Sequence, residues 1–376
     1  MKLLIVAIDY PPNSGGIATY GLQLANALSA EHDVTVFASG MDQDGDREQA
    51  FTTIRSASCS VFRHLQFAWK LLRLLDNGQF DAVLHTTWPT ALIGYLFLKN
   101  HHPPYFISAH ASEILDDRTS WRRTIKGTLK ALKISMLRQA AGVFPVSNYT
   151  AELLKAMGVE ESTIQVINNG VDPDQFHSVK RSGFHSPPRL LTVARLDKHK
   201  GHDVVLKVMS KLKKKGISLS YQIVGKGDEE EHLKSLASQL DITDSVDFKG
   251  FVSESERAQI YANSDIFIML SREIKGRLDL IEGFGISFLE AGAAALPVIA
   301  GKSGGVSDAV RDGVTGYLID PEDEGRVEAV LTKMIENENE TIQMGRNGRT
   351  WIEEEMGWQH VASRVTAAIQ KMGSDK

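Results

Sequence analysis

Residues 172–194 read DPDQFHSVKRSGFHSPPRLLTVA, and the fold turns on how that stretch divides. Its first part holds Pro173, Gly183, Pro187 and Pro188 among polar residues. Few aliphatics accompany them, so neither a helix nor a strand is specified there. Its last part, 190–194, is a run of strand length, apolar apart from the β-branched Thr192. A chain that suspends regular structure and then starts a buried strand is passing between domains. Residues 173–189 are therefore read as a linker.

Toward the N-terminus, apolar runs at 3–8, 34–38, 82–85, 105–108, 143–146 and 164–167 predict six strands. Helical periods cover 17–30 and 148–157, the latter with Ser147 as N-cap and Gly158 as C-cap. Beyond the linker the alternation restarts. Strands are predicted at 190–194, 219–224, 246–250, 266–270 and 297–300, with helices at 203–215, 229–240, 254–263 and 287–295 between them. Near-continuous hydrophobicity marks strands of a parallel sheet covered on both faces. Two such series predict an α/β protein of two doubly wound, Rossmann-like domains, residues 1–172 and 190–357, with ligands in a cleft at the carboxyl ends of the strands. A last helical stretch, 358–372, has no strand after it.

Composition agrees. A length of 376 residues suits two domains, and 42% hydrophobic with 24% charged residues is an ordinary globular balance. The formal net charge of −5 gives no global attraction to nucleic acid. One cysteine, Cys59, excludes an intramolecular disulfide and a cysteine-based zinc site, and fits a reducing cytoplasm. The apolar run opening the chain ends at Asp9 with no cleavage pattern behind it, so a buried first strand is the better reading than a signal sequence. The best uninterrupted apolar stretch, 91–98, is far too short to span a bilayer.

Three motifs carry chemistry. Between the first strand and first helix stands PPNSGGI, 11–17. Adjacent Gly15 and Gly16 permit close backbone approach, and the helix start offers free amides, although a tight turn would use glycine too. The second motif is RLDKHKG, 195–201, which sets Arg195 and Lys200 at the carboxyl end of a parallel strand. Such cations can hold a diphosphate; the same residues would also suit a solvated basic loop. VGKGD, 224–228, with Gly225, repeats the theme after the next strand. The third, EGFGISFLE, 282–290, places Glu282 and Glu290 on either side of a glycine-led helix start. Amides there can bind phosphate oxygens and carboxylates can accept sugar hydroxyls; an acidic pair merely favouring the helix dipole has similar spacing.

In their order along the whole chain these pieces resemble glycosyltransferase family 4, retaining enzymes of GT-B architecture. The resemblance includes Gly15-Gly16, His110-Ala111-Ser112-Glu113, Asn169-Gly170-Val171-Asp172, Arg195 with Lys200-Gly201, Gly225-Lys226-Gly227 and the Glu282/Glu290 pair. The run LDLIEGFGI, 278–286, is most similar to the phosphatidylinositol mannosyltransferase branch. This resemblance implies that Arg195 and Lys200 bind the donor diphosphate, helped by amides at Gly16, Gly285 and Ile286. It implies that Glu290 holds the ribose, that Glu282 engages the transferred sugar, and that His110 lies near the anomeric centre. Gly225 and Phe284 belong to the same donor-binding set, and the base is expected against backbone near Phe251 and Val252. One departure is Ala111, where the family often has glycine, which bears on acceptor placement. The resemblance also implies that helix 358–376 crosses back to the first domain.

The implied function is transfer of a hexose, mannose from GDP-mannose foremost and glucose or N-acetylglucosamine from UDP donors next, to a sugar, lipid-linked or small-metabolite hydroxyl. No cofactor and no metal are expected, with the Arg195/Lys200 pair as counter-charge. The alternatives are a GT-B-type sugar-nucleotide 2-epimerase and a non-catalytic nucleotide-sugar-binding module. From Arg118 to Arg138 there are seven basic residues and no acidic one. Arg122, Lys126, Lys130 and Lys133 form a helical stripe there, suited either to an anionic membrane surface or to the solvated face of a packed helix. A cytoplasmic protein, in contact with the inner face of the membrane if that stripe binds lipid, is the matching expectation.

Overall fold

The computed structural model of the protein describes residues 1–13, 15–41, 43–56, 63–76, 80–97, 103–115, 123–176, 183–275, 277 and 280–373, without the side chains of 63, 112–113 and 123–128. The chain forms two compact units: Met1–Asn169 with Trp358–Lys376, and Gly170–Gly357. The whole of the expected linker thus counts with the second unit, and residues 177–182 of it lie outside the described residues.

In the first unit the strands are β1 (Lys2–Ala7), β2 (Asp33–Ala38), β3 (Thr52–Arg55), β4 (Ala82–His85), β5 (Tyr105–Ala109) and β6 (Gly142–Pro145). They pair in parallel in the order β3-β2-β1-β4-β5-β6. The helices are α1 (Gly16–Leu28), α2 (Arg63–Asp76), α3 (Trp88–Phe97), α4 (Ala111–Leu115), α5 (Arg123–Gln139) and α6 (Asn148–Ala156). The sixth strand is not at 164–167, as expected, but at β3. Residues 164–167 are tied to β6 only by one bridge, Val143 with Ile164, and by two backbone hydrogen bonds, from Gln165 to Val143 and from Ile167 to Pro145. β3 lies at the sheet edge with only Ile54 apolar in TTIR, so it lacks the hydrophobic run that betrays an interior strand. Helix α6 is capped as expected, with the Ser147 hydroxyl accepting from the Thr150 amide and Gly158 left-handed at φ 75°.

The second unit repeats the plan with β7 (Arg189–Val193), β8 (Ser220–Val224), β9 (Val246–Gly250), β10 (Ile266–Met269), β11 (Val298–Gly301) and β12 (Gly316–Ile319). Their order is β12-β11-β10-β7-β8-β9, again parallel throughout. The helices α7 (His202–Lys214), α8 (Glu230–Gln239), α9 (Glu254–Ala262), α10 (Ile286–Ala293), α11 (Glu324–Glu336) and α12 (Glu338–Trp351) complete it. Both units are doubly wound and Rossmann-like, as the GT-B expectation requires.

A π-helical turn, Ile352–Met356, leads from α12 to α13 (Trp358–Gly373), which belongs to the first unit. Its apolar stripe, Val361, Val365 and Ile369, joins Leu24 and Leu28 of α1 in one core. Each such side chain stabilises the docking by roughly 1.5–3 kcal/mol. Gly142 opens β6 beneath this helix, and a Cβ there would meet the Met372 sulfur at 2.6 Å. A glycine is what lets the helix end lie that close.

Candidate active site

In a doubly wound sheet ligands collect at the carboxyl ends of the strands, where loops and helix N-termini converge. In the first unit that edge carries Gly15, Gly16 and His110. Gly15 has φ 145°, and nothing lies within 4 Å of the position a Cβ would take, so the backbone is open to a neighbour. Gly16 starts α1, whose first amides receive no side-chain cap.

His110 follows β5. It is 9% exposed, its ring meets Tyr20 edge-on at 5.3 Å, and Nε2 has no hydrogen-bond partner among the described residues. Burial lowers its pKa to about 4, against the opposing pull of a hydrogen bond to the Thr86 backbone. The imidazole is therefore neutral near pH 7, with one nitrogen engaged by Thr86 and Nε2 buried without a partner among the described residues. Tyr20 holds the ring in place: its hydroxyl bonds Ser108 at 2.8 Å and its own ring meets Trp358 of α13 at 5.8 Å. Ala111 is fully buried.

The basic stripe on α5 is corrected at Lys133. That side chain is only 8% exposed, donates to the Ile114 carbonyl at 2.8 Å and lies 4.9 Å from the Trp88 ring centroid. A lysine ammonium on a carbonyl in the last turn of α4 complements the negative end of that helix. It is part of the packing between helices, not a surface cation. Lys130 is exposed. Arg122 lies outside the described residues, as does the side chain of Lys126.

In the second unit the loop after β7 brings the cations. Lys200 Nζ donates to Glu282 Oε2 at 2.5 Å, with the two side chains 14% and 12% exposed. Burial pushes the Glu282 carboxyl up, but the Lys200 ammonium, His199 and the Phe284 amide together hold it below its ordinary value. Arg195 reaches outward, 72% exposed, with Nη2 on Asp197 Oδ2 at 2.6 Å. Its charge stays accessible.

Glu290 lies within α10 and is 8% exposed. Oε2 accepts from the Tyr261 hydroxyl at 2.8 Å, and Oε1 faces Arg257 Nη2 at 3.6 Å. Burial, then the adjacent Glu290 charge, raises the Tyr261 pKa well above its ordinary value, so the phenol keeps its proton and donates it. Neither carboxylate is merely a helix-dipole partner, since the first turn of α10 contains no acidic residue.

Gly285 caps α10 at φ 94°, and a Cβ there would stand 2.5 Å from the Phe288 ring. No side chain caps the amides that follow, beginning at Ile286. Phe284 itself is buried, 2% exposed, so it offers a ligand backbone rather than its ring. Gly225 has a packing reason of its own: a Cβ would fall 2.0 Å from the Ala194 carbonyl, as one at Gly227 would fall 2.4 Å from that of Leu196. Phe251 is 75% exposed beside Lys226, and Val252 is half-buried.

Sequence reasoning missed Tyr20, Tyr261, Arg257 and Asp197, each of which orients a residue it had singled out. Only Asp197, two positions from Arg195, gave a local hint. Among the described residues no group of three or more His, Cys, Asp or Glu side chains is placed to hold a metal ion, and no helix is long and apolar enough to cross a membrane.

Known proteins match this arrangement along the chain. Residues 14–175 match the family described as Glycosyltransferase Family 4, and residues 174–351 that described as Glycosyl transferases group 1. The GDP-mannose-dependent alpha-(1-6)-phosphatidylinositol monomannoside mannosyltransferase of Mycolicibacterium smegmatis is 26% identical over 385 residues, covering 98% of each protein. Two solved structures share the fold at 17% identity. Sucrose-phosphate synthase from Thermosynechococcus elongatus has a TM-score of 0.80 with all of both chains covered, and HepE of Anabaena, in complex with UDP, 0.78 over 99% of this chain and 100% of that one.

Proposed function

The chain belongs to glycosyltransferase family 4, and from that membership we propose that it moves a hexose from a nucleotide-diphosphate sugar to an acceptor hydroxyl with retention of the α configuration. Mannose from GDP-mannose is the first choice of donor. The observation that carries the reading is the set Arg195, Lys200, Glu282 and Glu290, drawn from separate segments to one end of a single parallel sheet. The donor preference is supported by the GDP-mannose-dependent relative, which matches this chain from end to end.

The chemistry follows from charge. The bond from the anomeric carbon to the diphosphate oxygen breaks, and negative charge grows on the leaving group. Arg195 is exposed and can swing to it. Lys200 has three N–H donors, so it can keep Glu282 and still reach a phosphate oxygen. These cations supply the counter-charge in this reading, so no metal or other cofactor is assigned. The amides at Ile286 and Ser287, which no side chain caps, add hydrogen bonds to the phosphates.

Glu282, held ionised by Lys200, accepts from hydroxyls of the transferred sugar, and Glu290 Oε1 accepts from the ribose while Tyr261 fixes Oε2. By the family resemblance His110 is assigned to the transferred sugar. The acceptor oxygen then bonds to the anomeric carbon on the face the diphosphate leaves, and its proton passes to the departing diphosphate oxygen. The acceptor hydroxyl belongs to a sugar, a lipid-linked glycan or a small metabolite, and cytoplasmic action, at a membrane where the acceptor is a lipid, accords with the relative's phosphatidylinositol acceptor.

The test incubates the protein with GDP-mannose and, separately, UDP-glucose and UDP-N-acetylglucosamine, each with an acceptor panel. A glycoside of α configuration plus free nucleotide diphosphate is the expected product. A β-linked product overturns retention. An altered sugar still attached to its nucleotide indicates a 2-epimerase, and donor binding without turnover a non-catalytic module.

A further inference from the structure

Lys200, the cation paired with Glu282, sits on a jointed segment. After β7 the chain makes one short helical turn, Lys198–Lys200, and then enters α7 at His202. Gly201 alone separates them, left-handed at φ 74°, and no side chain caps the helix it precedes. Glycine is the residue with the least restricted backbone, so the angle between turn and helix is not set locally.

Arg272, just beyond β10, grips both sides of that joint. Its main-chain N–H donates to the His199 carbonyl at 2.8 Å, on the side of the turn. Its guanidinium donates through Nη2 to Asp203 Oδ1 at 2.8 Å, in the first turn of α7. The two side chains are 12% and 21% exposed. A charge-assisted hydrogen bond sheltered to that degree holds its geometry, whereas a pair in open water contributes little.

The joint itself rests on the same strand end. A Cβ on Gly201 would stand 2.1 Å from the Leu270 carbonyl oxygen. β7 and β10 are neighbours in the sheet, so the end of one strand braces the loop that leaves the other. Residues 270 and 272 thus hold 199, 201 and 203, and Lys200 stands among the held residues with Nζ on Glu282. Lys207, the other cation beside Asp203 among the described residues, is 3.9 Å from Oδ2 and divides itself with Glu324 at 3.4 Å.

We propose that Arg272 is the positioning residue of the donor diphosphate site. It locks the joint at Gly201, and so fixes Lys200 where Glu282 and a diphosphate can share its ammonium. The role rests on the donor reading of Lys200 and adds the part that sets its geometry. Arg272 acts through Asp203 and makes no contact with phosphate in this role.

Calorimetric binding of GDP and UDP to the full chain, and amide hydrogen exchange of the free protein, are the two readouts. Arg272→Met keeps the apolar stem of the side chain and removes the bond to Asp203. It should weaken whichever nucleoside diphosphate the wild type binds by about tenfold, because a small misplacement of a positioned group carries a cost of that order. The Lys200 and Val204 amides bond the Asp197 and Gly201 carbonyls on either side of the joint. Their exchange should quicken by about tenfold in the same variant. Arg272→Lys returns one N–H donor to Asp203 and should bring affinity back to within about threefold of wild type. Asp203→Ala removes the bond from its other end, and combined with Arg272→Met it should add nothing to the single loss. Equal behaviour of Arg272→Met and Arg272→Lys, wild-type affinity in folded Arg272→Met, or unchanged exchange at both amides overturns the proposal. Should Arg272→Met fail to fold, Asp203→Ala supplies the same two readouts. If the wild type binds neither GDP nor UDP, the donor reading fails, and exchange at Lys200 and Val204 still decides whether Arg272 holds the joint.

Discussion

Lys200 and Glu282 form an ion pair at 2.5 Å across 82 positions of sequence, so the two residues expected to serve phosphate and sugar separately are one unit. Lys200 holds Glu282 ionised where both side chains are nearly buried. Lys200→Ala leaves Glu282 without its cation, and should cost about 3 kcal/mol of stability as well as turnover. Lys200→Met combined with Glu282→Leu should recover part of the stability and none of the activity. Denaturant unfolding of the variants reads this directly; a fully additive double variant would show the pair to be uncoupled.

Arg195 gives the complementary case. With its side chain 72% exposed, Arg195→Ala should change stability by no more than about 0.5 kcal/mol. If it stabilises the departing diphosphate, turnover should fall on the order of 10²–10³, by comparison with other donors to a developing oxyanion. Steady-state rates on folded protein decide it, and near-normal turnover would remove Arg195 from the mechanism.

Acid should loosen both units as the pH falls from 6.5 toward 4. His110, His199 and His202 are each lowered to about 4, in each case first by burial, from an ordinary value of 6.5. The folded state keeps these rings neutral, whereas the unfolded chain binds protons below pH 6.5. Their contribution is therefore complete above pH 6.5, falls by about 1.4 kcal/mol per pH unit for each histidine down to about pH 4, and is flat below that. Chemical denaturation at several pH values measures the slope. His110→Gln should remove one histidine's share, and a wild-type midpoint unchanged from pH 7 to 5 would contradict the account.

The nucleotide preference has a direct measure in thermal stability. A nucleotide diphosphate at about a hundredfold its Kd should stabilise the protein by roughly 2.7 kcal/mol. GDP should do so at lower concentration than UDP. Matching curves for the two would leave the base unselected, and a stronger response to UDP would turn the donor reading to a UDP-hexose.

Much of the candidate site was legible because its chemistry sits in short loops directly after strands. Arg195 and Lys200 follow β7, Gly15 and Gly16 precede α1, and His110 follows β5, so local pattern puts each at a carboxyl edge. Lys133 was not legible. Its helical spacing matches that of exposed Lys130's stripe, and only the arrival of α4 and Trp88 against α5 buries it. Glycine was ambiguous in the same way: Gly15 faces open space whereas Gly225 faces the Ala194 carbonyl, though both stand in turns after strands.

What the amino-acid sequence determined by itself was the α/β class, the doubling of the βαβ series and the interior strands, because periodicity of burial is written residue by residue along an element. Edge strands β3 and β12, the Lys200–Glu282 pair, the Tyr261 hold on Glu290 and the Arg272 brace were decided only in three dimensions. β3 has one apolar residue in four and β12 is only four residues long, whereas the other edge strands, β6 and β9, were legible. The pairings join positions separated by anything from 29 to 82 residues, and whether a charge meets a partner or water depends on which segments the sheet brings side by side.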